Sequence, residues 1–197
     1  MSTEREMASL AIARSERVML RRWLATDADH FLRSFTQGQW LLFDAPWDES
    51  IPWSTAEEER TGREWFMRQL DRGHQSYLGR RLVIALPDGT PIGRVNRYGE
   101  GEYPGACFVG IAICEDEFLN RGLGTAALKL WVDHLFASSE LHKLCLDTWS
   151  FNPRMIRVAE KVGFVCEGRR REMLYWQGQW LDLVHFGILR EECEVSG

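Results

Sequence analysis

The chain has 197 residues, enough for one domain of ordinary size with a real hydrophobic core. Hydrophobic residues make up 45% and charged residues 27%, the balance of a soluble globular protein, and no apolar run is long enough to span a bilayer. A formal net charge of −5 gives no sign of a nucleic-acid partner.

Residues 1–14 read as a loose lead-in and residues 15–192 as a single domain. The opening MSTEREMASLAIARSER has charges on both sides of a very short apolar piece, so it lacks the apolar core of a secretory leader. Val18, Leu20 and Arg22 alternate with Met19 and Arg21 and predict a first strand. Thr26-Asp27-Ala28-Asp29 is a helix start with an acidic first turn, and that helix runs to about Gln37. Gln39–Pro52 is irregular and rich in aromatic residues. Ser54 or Thr55 then caps a helix with acids at its beginning (Glu57, Glu58, Glu59) and bases later (Arg63, Arg68, Arg72), which suits the helix dipole.

Tyr77–Leu86 reads as a strand, Pro87-Asp88-Gly89-Thr90 as a hairpin turn and Pro91–Tyr98 as the antiparallel return. Ala106–Cys114 is another strand. A glycine turn follows, then a helix to about Ser138 with Leu128, Trp131 and Leu135 at helical spacing. Lys143–Trp149 is a short, buried strand. Asn152-Pro153 opens the next helix with Asn as N-cap and Pro at the first helical position, and Gly163 closes it. Phe164–Tyr175 and Gln179–Arg190 are two strands around Trp176-Gln177-Gly178. The order β-α-α-β-β-β-α-β-α-β-β predicts an α/β (α+β) fold: a mixed sheet with helices on its faces.

The chemistry centres on Asn120-Arg121-Gly122-Leu123-Gly124-Thr125-Ala126-Ala127, where a loop becomes a helix. Such a junction collects unpaired backbone N–H groups at the positive end of a helix dipole, a ready site for phosphate or pyrophosphate. The triphosphate-loop pattern G-x-x-x-x-G-K-[ST] is absent. A dinucleotide fingerprint is formally met by Gly122, Gly124 and Ala127, with Asp147 as a ribose-binding acid. It belongs directly after a strand, however, and Glu115–Arg121 intervene. The third reading is an acyl-coenzyme A pyrophosphate loop.

Arg121-Gly122-Leu123-Gly124-Thr125-Ala126 resembles the coenzyme-binding motif of the GCN5-related N-acetyltransferases (GNAT). Asn152–Phe164 resembles their following helix, which ends in Gly-Phe. Phe164–Arg169, Gly178–Asp182 and Gly187–Glu191 resemble the C-terminal hairpin of the RimJ/RimL branch. The resemblance implies the GNAT fold: a mixed, mostly antiparallel sheet whose central parallel strands, Ala106–Cys114 and Lys143–Trp149, splay apart. It implies acetyl-CoA as co-substrate, with the pantetheine arm on the backbone of Val109, Gly110, Ile111, Ala112 and Ile113. Arg121, Gly122, Leu123, Gly124 and Thr125 would hold the pyrophosphate, and Asn152 would lie near the pantetheine end. It further implies N-acylation of a primary amine by direct attack on the thioester. The acceptor would be a protein N-terminus or a small amine such as an aminoacyl compound or an antibiotic. A succinyl-type donor and a non-catalytic acyl-CoA-binding module are the alternatives, and the family often forms homodimers.

The usual general acid of this family, a Tyr in the second helix, is replaced here by Ala159, and Phe108 stands where some members carry a strand Glu. Proton-handling residues are therefore sought among Glu172 and Ser150, with Asp182 and His185 read as structural. Cys145 lacks a histidine partner in sequence, which argues against an acyl-cysteine scheme. The five cysteines (Cys107, Cys114, Cys145, Cys166, Cys193) form no CxxC pair, so free thiols in the cytoplasm are expected, without a metal site. Nine tryptophans are many for this length, and Trp40, Trp47, Trp53 and Trp65 cluster. Trp40 and Trp53 are read as faces of an acceptor pocket, with Asp44, Asp48 and Glu49 drawing in the amine's charge.

Overall fold

The computed structural model describes residues 10–44, 47, 55–73, 77–99 and 103–194. Eight strands form one sheet in the order β1-β2-β3-β4-β5-β6-β8-β7. They are β1 (Ala11–Arg14), β2 (Met19–Arg21), β3 (Arg81–Ala85), β4 (Pro91–Tyr98), β5 (Ala106–Ile113), β6 (Lys143–Trp149), β7 (Val165–Trp176) and β8 (Gln179–Leu189). The helices are α1 (Ala28–Thr36), α2 (Leu41–Asp44), α3 (Ala56–Asp71), α4 (Leu123–Ser138), α5 (Pro153–Val162) and α6 (Arg190–Glu194).

Strand alternation sends neighbouring residues to two cores. Leu20, Ile84, Val95, Val109, Leu144 and Leu146 face the buried residues of α4 and Ala159 of α5. Met19, Val83 and Ala85 face Trp23, Phe31 and Phe66, on the side of α1 and α3. The period of two in β2 and β3 is what splits Leu20 from Met19 and Ile84 from Val83.

The helix boundaries follow the capping chemistry. The Thr55 hydroxyl accepts from the Glu58 N–H at 3.2 Å, and the Glu58 carboxylate accepts from the Thr55 N–H at 3.0 Å. The Asn152 side chain accepts from the Met155 N–H at 3.1 Å, and Gly163 ends α5 at φ +105°.

Three expectations need revision. Ala11–Arg14, placed in the lead-in, is an edge strand paired antiparallel with β2. Its turn is built by Ser15, whose hydroxyl and N–H both donate to the Val18 carbonyl, so no Gly or Pro marks it in sequence. The strand expected from Tyr77 begins at Arg81, because Leu78–Arg80 form a 3-10 turn. Leu41–Asp44, within the irregular aromatic stretch, form a short helix.

Every neighbouring pair of strands is antiparallel except β5 and β6. That parallel ladder covers only Ala106↔Lys143, Cys107↔Leu144 and Phe108↔Cys145. Beyond it, β5 stays with β4 as far as Ile113↔Gly93, and β6 stays with β8 as far as Trp149↔Leu183. The sheet therefore opens between Val109–Ile113 and Leu146–Trp149.

Candidate active site

The opening leads into a cleft of about 710 Å³ that passes between the two strands. One wall is the backbone of Val109, Gly110, Ile111, Ala112 and Ile113, all five lining it. Backbone groups on this edge of β5 have no ladder partner on β6 past Phe108, so they are free to pair with an extended amide chain.

The start of α4 also lines the cleft, through Asn120, Gly122, Leu123, Gly124 and Thr125. Asn120 and Gly122 take left-handed conformations, at φ +58° and +74°. Alternating handedness of this kind turns successive N–H groups toward one side and makes an anion-binding concavity. The first intrahelical bond is Ala126 N–H to the Gly122 carbonyl at 3.1 Å, so the N–H groups of Leu123, Gly124 and Thr125 precede it. The Arg121 side chain is exposed and does not line the cleft; its guanidinium lies 5.7 Å from the Phe118 ring centre. Its carbonyl is held by the Arg17 guanidinium at 2.5 Å, which fixes the turn from the β1–β2 hairpin.

Asn152 lines the cleft as well as capping α5. From the same helix Arg154, Arg157 and Lys161 line it too. Their spacing of three and four puts the three cations on one face. That spacing was readable in the sequence. The residues present fit a coenzyme A molecule: an open strand edge for its amides, helix N–H groups for a pyrophosphate, and cations for phosphate charge.

The other side of the opening is acidic, aromatic and partly cationic. Asp147 on β6 lines the cleft, and its Oδ1 lies 2.7 Å from His185 Nδ1 on β8. His185 is thus satisfied by a carboxylate rather than buried among apolar groups. Tyr98 lines the cleft and stacks on Phe108 at 5.4 Å between ring centres. Burial, with Asp147 and Asp44 adding like charge, pushes the Tyr98 phenol up to about 12.

Trp40 lines the cleft, with the Arg94 guanidinium 4.5 Å from its ring centre. Trp47 instead packs edge-on against Trp149 at 4.9 Å and does not line the cleft. Among the described residues the aromatic stretch thus divides into two cleft residues, Trp40 and Phe43, and one packing residue, Trp47. Trp53, Asp48 and Glu49 lie outside the described residues. Burial holds the Asp44 carboxyl above the usual range, against an opposing pull from Arg94.

Glu172 and Ser150 do not line the cleft. Glu172 sits at φ +54° in an irregular stretch of β7, an edge strand separated from β6 by β8. Its N–H donates to Asp182 Oδ1 at 2.9 Å, and its side chain is exposed. The Ser150 hydroxyl accepts from the Asp182 N–H at 3.1 Å and ties the end of β6 to β8. Asp182 also pairs with Arg169 at 3.1 Å. These contacts make a structural knot at the base of the last hairpin. Neither of the two residues expected to handle protons is thus brought into the cleft lining.

Ala159, at the family's usual tyrosine position, is fully buried in the core. Cys145 is absent from the lining, and burial raises its thiol pKa, which leaves little thiolate for acyl transfer. Among the described residues no group of three His, Cys, Asp or Glu side chains converges as a metal site. No helix among them is long and apolar enough to cross a membrane.

The family description of the acetyltransferase (GNAT) domain matches residues 17–165. The chain belongs to the GNAT family. The GNAT domain covers β2 to the start of β7, which includes both walls of the opening. The SPbeta prophage-derived uncharacterized N-acetyltransferase YokL of Bacillus subtilis is 25% identical over 134 residues, 68% of this chain and 72% of that protein. Spermidine N-acetyltransferase from Vibrio cholerae, in a structure with CoA and spermine, has a TM-score of 0.71 at 20% identity. That superposition covers 91% of this chain and 99% of the other. The ribosomal-protein-S5-alanine acetyltransferase of Vibrio fischeri has a TM-score of 0.68 at 22% identity, over 90% and 96% of the two chains. Both structural likenesses concern the fold.

Proposed function

We propose that this GNAT domain transfers acetyl from acetyl-CoA to a primary amine by direct attack. The observation that carries the reading is the opened β5–β6 pair. A helix N-terminus and three cations line one part of the cleft, and Asp147, Tyr98 and Trp40 line another.

In this reading the backbone of Val109–Ile113 binds the pantetheine amides, and Arg121–Thr125 with Asn152 hold the coenzyme's polar groups. Acetyl-CoA supplies an activated acyl group as a thioester. Asp147 attracts the protonated amine and, with His185 behind it, accepts the proton that must leave before the nitrogen lone pair can attack. A backbone N–H of Val109–Ile111 stabilises the oxyanion. As the C–N bond forms, the C–S bond breaks, and the departing sulfur takes a proton from Tyr98 or from solvent. Trp40 forms an apolar face for the acceptor.

Both a protein N-terminus, as in the RimJ/RimL branch, and a small amine fit the open acceptor side. The relatives' names favour amines of both kinds: ribosomal-protein alanine for the V. fischeri protein and spermidine for the V. cholerae protein. The cysteines are free, which suits a reducing compartment such as the cytoplasm.

The test is thiol release from acetyl-CoA with a panel of amines, peptides and aminoacyl compounds. Turnover with at least one class, lost in Asp147→Asn, supports the reading. Coenzyme binding without turnover across the panel overturns it in favour of a non-catalytic acyl-CoA-binding module.

A further inference from the structure

Two arginines stand on the acceptor side of the cleft, and neither forms an ion pair among the described residues, although Arg94 is close enough to pull on the Asp44 carboxyl. Arg94 on β4 is only 8% exposed. Its Nη1 donates to the Ser34 hydroxyl at 2.9 Å and to Cys114 Sγ at 3.5 Å, and its guanidinium lies 4.5 Å from the ring centres of both Phe35 and Trp40. Arg81 on β3 donates to the Tyr77 carbonyl at 2.9 Å and lies 3.4 Å above the Tyr77 ring centre. Both line the cleft, and neither is in an ion pair among the described residues.

The register makes the two neighbours. Arg81 pairs with Asn96 on β4, and Arg94 is two residues along on the same face. Diagonal partners of this kind stand about 7–8 Å apart, within reach of one small ligand. Two like charges so placed repel. Burial, with Arg94 adding repulsion, lowers the pKa of the Arg81 guanidinium.

A third donor joins them. The Trp40 indole N–H is buried and has no hydrogen-bond partner among the described residues. Guanidinium and indole groups donate only; none can accept. Flanking rings partly stabilise a buried guanidinium, but they give a donor nothing to bond to. Burial holds the nearby Asp44 carboxyl toward its neutral form, which leaves the guanidinium charge poorly matched, and a ligand carboxylate fits a guanidinium fork in shape and charge.

The same register relates this donor group to the reaction centre. Arg81, Asn96 and Gly110 form a paired row, and Asp147, two residues beyond Cys145 as Gly110 is beyond Phe108, faces that row across the opening. Gly110 leaves the space that Asn96 uses: a Cβ there would sit 2.6 Å from Asn96 Oδ1. Arg81 and Gly110 are two strand spacings apart, on the order of 10 Å. An acceptor bridging the donors and Asp147 therefore has its amine and its anion several bonds apart.

We infer that Arg81, Arg94 and Trp40 bind a carboxylate carried by the amine acceptor, so the substrate class is a peptide or ω-amino acid and not a polyamine. This rests on the acetyl-transfer reading above and narrows it.

The test compares matched acceptors on the full chain: a dipeptide and its C-terminal amide, an ω-amino acid and its amide, and spermidine as a purely cationic amine. The free acids are expected to exceed their amides in kcat/KM by about tenfold to a hundredfold, the range of a charge-assisted pair. Arg94→Gln and Arg81→Gln bring that ratio close to one, and Arg94→Lys keeps part of it. Arg81 is less buried than Arg94, so Arg81→Gln serves if Arg94→Gln does not fold. Calorimetric CoA affinity stays unchanged in Arg81→Gln, which separates an acceptor anion from a coenzyme phosphate.

Equal turnover of acids and amides by the unmodified protein overturns the inference and leaves acetyl transfer standing. So does a loss of CoA affinity in Arg81→Gln that parallels the loss of acceptor turnover. If no amine turns over, the acetyl-transfer reading falls and takes the inference with it. Binding of an N-acetylated dipeptide and of its amide to the CoA-loaded protein gives a readout without turnover, with the free acid expected to bind more tightly.

Discussion

Asp147 Oδ1 and His185 Nδ1 are 2.7 Å apart, at directly paired positions of β6 and β8. The sheet register alone brings together a carboxylate and an imidazole separated by 38 residues. The bond fixes the orientation of a carboxylate that lines the cleft where the sheet divides.

Replacing Asp147 by Asn keeps the size and removes the charge. Acceptor kcat/KM is expected to fall by about 10²–10⁴, the usual contribution of a positioned proton acceptor. Coenzyme affinity stays unchanged. His185→Gln, acting through Asp147, gives a smaller loss in kcat with acceptor KM little changed. Steady-state kinetics with each substrate varied in turn checks both variants.

Gly122 sets the turn proposed to hold the coenzyme. At φ +74° an L-residue pays about 1–2 kcal/mol, and an added Cβ would sit 3.1 Å from Arg17 Nη1. Gly122→Ala is expected to weaken CoA binding by about tenfold, which corresponds to about 1.4 kcal/mol. Acceptor KM at saturating coenzyme is unaffected. Gly124→Ala is the control: its added Cβ would meet Ile113 Cγ1 at an ordinary 3.7 Å. Calorimetry on the two variants separates the turn's backbone requirement from crowding.

Arg21 and Asp27 form a bidentate pair at 2.6 and 2.9 Å, with side chains 2% and 4% exposed. Asp27 Oδ2 also accepts from the Leu24 N–H at 2.8 Å, so the pair joins β2 to the entrance of α1. Asp27→Asn leaves a buried guanidinium without its counter-charge. A loss of about 3–5 kcal/mol in unfolding free energy is expected. Urea denaturation measures it.

His30 on α1 is 3% exposed, and its Nδ1 lies 2.9 Å from Glu115 Oε1. Burial lowers its pKa below the ordinary 6.5, outweighing the opposing hydrogen bond to Glu115. The folded state therefore favours neutral imidazole. Below pH 6.5 the unfolded chain binds this proton first. The stability contributed is complete above that pH and is lost as pH falls from it toward the folded-state pKa. The midpoint of thermal unfolding is expected to decline with acidification through this window, and His30→Gln should flatten that part of the curve.

Most of the fold was legible because its signals are local. The caps at Thr55 and Asn152, the stop at Gly163 and the alternation in β5 and β6 each lie within a few residues. The strand at Ala11–Arg14 was not legible. It is short, its turn is closed by a serine, and its pairing partner supplies its stability. The donor half of the candidate site was also local: Gly122 and Gly124 open a helix, and Asn152 opens the next.

The acceptor half is assembled across strands. Asp147 lies in an apolar run and stood out in sequence only as a possible ribose-binding acid of the dinucleotide reading. Only the pairing with β8 provides its histidine, and only the early end of the β5–β6 ladder gives it a cleft to face. Glu172 is carried to the edge strand β7, and the Ser150 hydroxyl just past β6 is taken up by the Asp182 N–H, so both meet at Asp182. Nothing local in sequence joins Arg81 to Arg94; the register sets them as diagonal neighbours on one face, with Arg94 against the Trp40 ring.

By itself the sequence determined most of the elements, the family and the glycine-rich helix start, because capping, periodicity and a glycine turn are properties of contiguous residues. The tertiary structure alone decided which acids and bases meet at the acceptor side, since strand register sets distances between residues far apart in the chain.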